Sequence, residues 1–245
     1  MVKQMSILAI IPARTESKRL PQKNTLPLCG KPLIHWTIEA ASYCDRVSRV
    51  VISTDGPKTA RISTIARGET PFLRPYALAT DTAPTKDVVR HALDWFELRG
   101  ISFDYILLLQ PTSPLRESFH IDQAIDLILE TKVSSVVSVC EMQHSPLWSM
   151  QLDASGMLDI KSNEKYLNMR GQDLPAYYRL NGSIYLTKVS EFLKHEQFAI
   201  TGSCLPYIMS ANDSVDIDTA EDFQLAEYFL QKKISISKTH IMRIR

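Results

Sequence analysis

With 245 residues, 44% of them hydrophobic, the chain has the material for one substantial α/β core with a single excursion, and too little for a second full domain. A formal charge of +1 supplies no global pull toward nucleic acid or an anionic membrane, so any electropositive surface has to be local. The longest apolar runs, such as Tyr105–Leu109 and Val136–Val139, fall far short of the roughly 20 residues that span a bilayer.

In chain order, Ser6–Ile11 reads as a short buried strand, and the loop after it, running to Asn24, carries Arg14, Lys18, Arg19 and Lys23. In an open α/β sheet, ligands bind beyond the carboxyl ends of the strands, so this loop is placed to hold an anion of several charges, with a nucleoside triphosphate the natural candidate. It contains no glycine and matches neither the Walker loop nor the dinucleotide fingerprint. Phosphate would be held mainly by side-chain cations and Ser17, with whatever backbone N–H groups the loop presents. The plainer reading of the same charges is a solvated surface.

A helix is predicted over Pro32–Ser42, with Pro32 suited to its first turn, then a strand over Arg49–Ser53, a helix over Thr85–Leu98 and a strand over Tyr105–Leu109. The segment Gln110-Pro-Thr-Ser-Pro-Leu-Arg116 follows that strand, so it opens at the same edge as the basic loop. Its prolines stiffen the presentation of Gln110, Thr112 and Ser113, and an amide that both donates and accepts suits a hydroxyl-rich ligand. An ordinary strand-to-helix turn explains the same residues equally well.

A helix over Ser118–Glu130 and a strand over Ser134–Val139 follow. The stretch Met142–Tyr178 then breaks the rhythm: it is too long for an ordinary connection. Its apolar residues Trp148, Leu152, Tyr166, Tyr177 and Tyr178 argue against a disordered insertion, so it reads as an arm or small subdomain, with a second copy of the chain as a packing partner. Strands over Ser183–Leu186 and Leu205–Met209 precede Val215-Asp-Ile-Asp218. In an extended segment Asp216 and Asp218 share one side while Val215 and Ile217 point into the fold. Two converging carboxylates without basic neighbours suit Mg²⁺, although Asp218 also reads as the cap of the next helix, Thr219–Gln231, through the capping-box pattern Asp218-Thr-Ala-Glu221. The basic tail, Lys232–Arg245, carries no function in this reading. The alternation gives an α/β fold with a mostly parallel, Rossmann-like sheet: residues 1–141 and 179–245 form one unit, and 142–178 an inserted arm.

Four scattered cysteines, Cys29, Cys44, Cys140 and Cys204, lack metal or disulfide spacing. The first residues lead into a strand without a signal-like apolar region, so a cytoplasmic protein with reduced thiols is expected. The histidines show no ligand spacing, and no hydrolase nucleophile context is present.

Together these motifs resemble the CMP-sialic acid synthetases, or acylneuraminate cytidylyltransferases, over nearly the whole chain: P-A-R-x-x-S-K-x-x-P-x-K-N at Pro12–Asn24, Arg74-Pro-x-x-Leu-Ala-x-Asp-Thr82, Leu109–Arg116, Asn181-Gly-Ser-Ile-Tyr185 and Asp216-Ile-Asp218. The resemblance implies a nucleotidyltransferase that moves CMP from CTP to a nine-carbon 2-keto acid sugar and releases pyrophosphate. It implies that Arg14, Ser17, Lys18 and Lys23 hold phosphates, that Asn24 lies near the ribose, and that Arg74, Ala83 and Thr85 frame the cytidine. Gln110, Tyr185 and Phe198 match sugar-site positions, Asp216 and Asp218 the metal pair for Mg²⁺, and residues 142–178 the dimerisation arm that helps close the partner's sugar site. Arg14, Lys23 and Asp216 are the implied catalytic groups.

Two departures stand out. Many members have Gly-Gly at Thr15-Glu16, so Glu16 is expected to turn away from a triphosphate. Sialate-specific relatives can carry basic residues at the positions of Trp148 and Gly171, where Arg170 is the nearby substitute; the sugar is therefore open among neuraminic, legionaminic and pseudaminic acids. Rival readings are a 3-deoxy-manno-octulosonate cytidylyltransferase, opposed by the long arm and the Asn181–Tyr185 motif, and a nucleotide-binding regulatory module without turnover.

Overall fold

A computed structural model describes residues 5–160 and 163–243, with side chains up to residue 236. Residues 1–4, 161–162 and 244–245, at the chain start, within the predicted arm and at the end of the basic tail, lie outside the described residues.

The elements run β1 (Ile7–Pro12), β2 (Pro27–Leu28), β3 (Lys31–Pro32), α1 (Leu33–Ser42), β4 (Arg49–Ser53), α2 (Pro57–Ile65), α3 (Thr85–Glu97), β5 (Tyr105–Leu108), α4 (Ser118–Thr131), β6 (Ser135–Glu141), β7 (Tyr178–Lys188), α5 (Val189–His195), β8 (Cys204–Ile208) and α6 (Ala220–Arg243). The main sheet has the order β4-β1-β5-β7-β6-β8. β1 is parallel to β4 and β5, and β6 to β8, while β7 is antiparallel to β5 and β6. β2 and β3 form a separate antiparallel pair.

The sequence of β1 shows why it is central. Ile7, Leu8, Ala9, Ile10 and Ile11 are all fully buried, because alternate side chains enter two different layers. Ile7, Ala9 and Ile11 join Ile34 and Ile38 of α1 and Ile121, Ile125 and Ile128 of α4. Leu8 and Ile10 join Val89, Leu93 and Phe96 of α3 and Phe192 of α5 on the other face. A third cluster packs α6, through Ala226 and Leu230, against Leu28, Leu33, Leu115, Val215 and Ile217. The mostly parallel, helix-covered sheet of the sequence reading is therefore present.

Several expectations change. α1 starts at Leu33, with Pro32 preceding it in extended conformation. The cap of α6 is displaced by one residue: Asp222 accepts from the N–H groups of Asp218 and Thr219 at 3.0 and 2.8 Å, and the Thr219 hydroxyl accepts from Asp222 N–H at 3.2 Å. Asp218 is thus not the capping side chain, and Glu221 takes no part. The predicted basic tail continues α6 as helix through Arg243. Between β6 and β7 the chain forms short helical turns at Pro146–Trp148, Glu164–Tyr166 and Gly171–Asp173, with a small hairpin closed by a Leu152–Leu158 bridge.

Candidate active site

Beyond the carboxyl ends of β1 and β5 lies a cavity of about 410 Å³ lined by Pro12, Arg14, Glu16, Ser17, Lys23, Asn24, Arg74, Ala83, Thr85, Gln110, Thr112, Asp216 and Asp218, among others. Four distant segments meet here, and each is tied down locally. Ala13 N–H donates to the Ser53 carbonyl at 2.9 Å and Thr15 N–H to Asp55 Oδ1 at 2.8 Å, which fixes the start of the basic loop against the end of β4. Asn24 Nδ2 donates back to the Arg14 carbonyl at 3.1 Å, closing the loop on itself.

Arg74 is buried; its Nε donates to Ser53 Oγ at 3.1 Å and its Nη2 to the Ser53 carbonyl, so it pins residues 74–85 across the cavity from the loop. Burial pulls its pKa down to about 10, which leaves a full positive charge at neutral pH. Thr85 opens α3, whose N-terminal end therefore faces the cavity and favours an anion there. Arg116 is completely buried and its guanidinium donates to the carbonyls of Gln110 and Ser113 at 3.4 and 3.2 Å, which stiffens the loop that presents Gln110.

The period-two argument for the acidic pair holds. Val215 and Ile217 are buried in the α6 cluster, Ile217 N–H donates to the Thr112 carbonyl at 2.8 Å, and Asp216 and Asp218 both line the cavity. Basic neighbours are nevertheless present: Asp218 lies 3.2 Å from Lys23 Nζ and 2.9 Å from Arg19 Nη2, and Lys23 also donates to the Ile217 carbonyl. This corrects the expectation of an unpaired acidic couple. Asp216 differs, since its Oδ1 is buried without a hydrogen-bond partner. Burial raises its pKa, with the Asp218 and Asp222 charges acting the same way and the Thr112 hydrogen bond and Lys23 opposing them.

Some predicted residues lie elsewhere. Lys18 projects from the flank of the loop, 2.7 Å from Asp81, which Arg14 also approaches to 2.5 Å. Tyr185 and Phe198 pack on each other at 5.9 Å beside the α3–α5 core layer, outside the cavity wall, although Tyr185 feels the Asp216 charge. Arg170 is exposed on the inserted stretch. Glu16, expected to turn away, stands in the cavity wall. Trp148 is half-buried: its indole N–H donates to the Tyr166 carbonyl at 3.0 Å, and a Cβ at Gly171 would sit 3.2 Å from the ring. Asp81 and Thr80 were missed as cavity residues, although Asp81 sits inside a motif already singled out. A second cavity, about 560 Å³, meets the first at Asp216 and is bounded by Glu141, His144, Arg179 and Asp222 among others.

A family model described as cytidylyltransferase matches residues 8–239. The chain is 37% identical to the CMP-N,N'-diacetyllegionaminic acid synthase of Legionella pneumophila over 93% of its own length and 97% of that protein. It is also 37% identical to the N-acylneuraminate cytidylyltransferase of Escherichia coli O18:K1:H7 over 93% of this chain, which spans about half, 52%, of that longer protein. Among solved structures, a CMP:2-keto-3-deoxy-manno-octonic acid synthetase complexed with CTP shares the fold, with a TM-score of 0.68 over 93% of this chain and 99% of that one at 16% identity. The matched model, the full-length relative and the shared sheet agree: this chain belongs to the cytidylyltransferase family.

Proposed function

We propose that this protein transfers CMP from CTP to a nine-carbon 2-keto acid sugar, a nonulosonate, and releases pyrophosphate. The observation that carries the reading is the meeting of the basic loop, buried Arg74, the α3 N-terminus and Asp216 around one cavity. The polyphosphate lies along Arg14, Ser17, Lys18 and Lys23, Asn24 meets the ribose, and Arg74, Ala83 and Thr85 frame the base. The sugar approaches from the side of Gln110, with Tyr185, Phe198 and Arg170 as further sugar-side residues. Its anomeric hydroxyl attacks the α-phosphorus in line, so catalysis consists of positioning and charge stabilisation rather than a covalent intermediate. Arg14 and Lys23 oppose the charge that develops on the phosphates.

Asp216 fits a divalent cation, because a buried carboxylate oxygen without a hydrogen-bond partner is a hard donor held ready. Asp218, on the same side of the extended segment and held by Lys23 and Arg19, would be the second carboxylate for such a cation. Among the described residues no group of three His, Cys, Asp or Glu side chains is disposed to hold a metal, so a cation at this pair would draw its remaining ligands from phosphate and water. Asp216, with Asp218, would hold Mg²⁺, which when bound would supply charge for orienting the triphosphate and for lowering the pKa of the attacking hydroxyl. No described helix is long and apolar enough to cross a membrane, and free cysteines fit a cytoplasmic enzyme.

Pyrophosphate release with CTP, Mg²⁺ and a panel of neuraminic, legionaminic, pseudaminic and octulosonic acids tests the reading; turnover with none of the nine-carbon acids overturns it. Asp216→Asn is expected to lower turnover at least about tenfold, roughly 1.4 kcal/mol of transition-state stabilisation. Near-normal turnover with unchanged metal dependence rejects a direct metal role for Asp216.

A further inference from the structure

The four cations of the basic loop are divided between two carboxylates. Lys23 and Arg19 meet Asp218, and the Lys23 side chain is only 10% exposed, so that pair is built into the site wall. Arg14 and Lys18 meet Asp81 instead, one on each carboxylate oxygen, at 2.5 and 2.7 Å. Asp81 belongs to the far side of the cavity, on the segment that follows the short turn Tyr76–Leu78. Its carboxylate thus bridges two cations of the loop, the arrangement a phosphate oxygen pair would adopt. The Lys18 hydrogen bond, with both positive charges beside it, holds the Asp81 carboxyl below its ordinary range.

Asp81 is also placed to leave. It is exposed at the cavity mouth, and water resolvates an exposed carboxylate readily. An exposed ion pair is weak enough to be displaced by an anion of higher charge. A pyrophosphate group brings more charge and more acceptor oxygens than one carboxylate, whereas a single phosphate gains much less.

We propose that Asp81 is an internal stand-in for polyphosphate: it holds Arg14 and Lys18 in the empty site, yields them to the incoming triphosphate and reclaims them as pyrophosphate departs. The carboxylate thereby makes affinity depend on phosphate number and limits retention of the leaving product. The identity of that product rests on the cytidylyltransferase reading, while the competition itself does not require turnover.

The test is calorimetric titration of the parental protein, Asp81→Asn and Asp81→Glu with sodium pyrophosphate, CTP and CMP in magnesium-free buffer of low ionic strength. Asp81→Asn is expected to bind pyrophosphate and CTP about three- to tenfold more tightly, with a smaller gain for CMP, and added salt should shrink the difference. Asp81→Glu should stay close to the parent. Unchanged or weaker pyrophosphate binding in Asp81→Asn, an equal gain for CMP, or an Asp81→Glu variant that behaves like Asp81→Asn overturns the proposal. A parental protein that binds neither pyrophosphate nor CTP overturns the nucleotide reading of the site first. Thermal melts of each variant check folding, and Asp81→Ser replaces Asp81→Asn if the latter melts early.

Discussion

Gln110 reaches the cavity across a residue that has no side chain. Gly182 in β7 adopts φ of 74°, and a Cβ built on it would stand 2.4 Å from Gln110 Oε1 and 3.3 Å from Ser113 Oγ. Two costs follow for any replacement: strain from the left-handed backbone, and displacement of an amide that the buried Arg116 loop otherwise holds in place. Gly182→Ala is expected to destabilise the fold by roughly 1–2 kcal/mol and to raise KM for the sugar acid more than KM for CTP. Matched melting curves together with unchanged sugar KM reject this role. At the same scale, the pairing of Asp218 with Lys23 and Arg19 was beyond sequence reading. Its partners are almost two hundred residues apart, and local spacing fixes which way a carboxylate points, not which cation the tertiary fold brings to it.

Among the elements, α4 and α6 are joined by a polar cluster around the buried His120. Glu117 N–H donates to His120 Nδ1 at 3.0 Å as part of the cap of α4, His120 Nε2 lies 3.8 Å from Asp213, and Lys233 of α6 contacts Asp213 at 2.6 Å. Burial, opposed only in part by Asp213, pulls the His120 pKa from 6.5 down to about 4. Between these values the unfolded chain binds a proton that the folded chain excludes, so stability is complete above about pH 6.5 and falls as pH drops toward 4. The loss approaches an upper bound of about 3 kcal/mol. Urea unfolding at pH 7.5 and pH 5 checks this, and His120→Gln should flatten the His120 contribution; identical pH dependence in parent and variant rules it out. Legibility varied among elements for related reasons. β1, β4, β5, α3 and α4 carry strong apolar patterns and were readable. α2 buries only Thr59 and Ser63, and α5 only Phe192, so neither shows a helical apolar stripe. β7 begins earlier than its apolar run because Tyr178, Arg179 and Leu180 are exposed while paired with β6. The cavity was legible through its motifs, but Asp81 was not singled out because its partners Arg14 and Lys18 lie more than sixty residues away.

At the scale of the whole molecule, none of the described residues of the inserted stretch, 142–160 and 163–178, is buried in the core of its own chain. Residues 151–160 are exposed throughout, yet they form an ordered hairpin in which Asp153 N–H donates to the Met157 carbonyl and Asp159 N–H to the Gln151 carbonyl, each at 2.8 Å. An isolated two-stranded hairpin is at best marginally stable in water. Leu152, Met157 and Leu158 are 67%, 66% and 54% exposed, and Tyr177, Tyr178 and Leu180 add apolar surface where the stretch returns to the sheet. Covering such area is favourable by roughly 25 cal/mol per Å², and a symmetric pair of copies covers both at once. The expected state is a homodimer through residues 142–178, with twice the 27.8 kDa chain mass in light scattering at micromolar concentration. Because Leu152 and Leu158 are exposed in the single chain, a charge there costs the monomer little and an apolar interface much. The double variant Leu152→Glu/Leu158→Glu should therefore shift the mass toward the monomer while the central sheet stays folded. A parental protein that scatters as a monomer, or a double variant that remains fully dimeric, removes the hairpin from the interface.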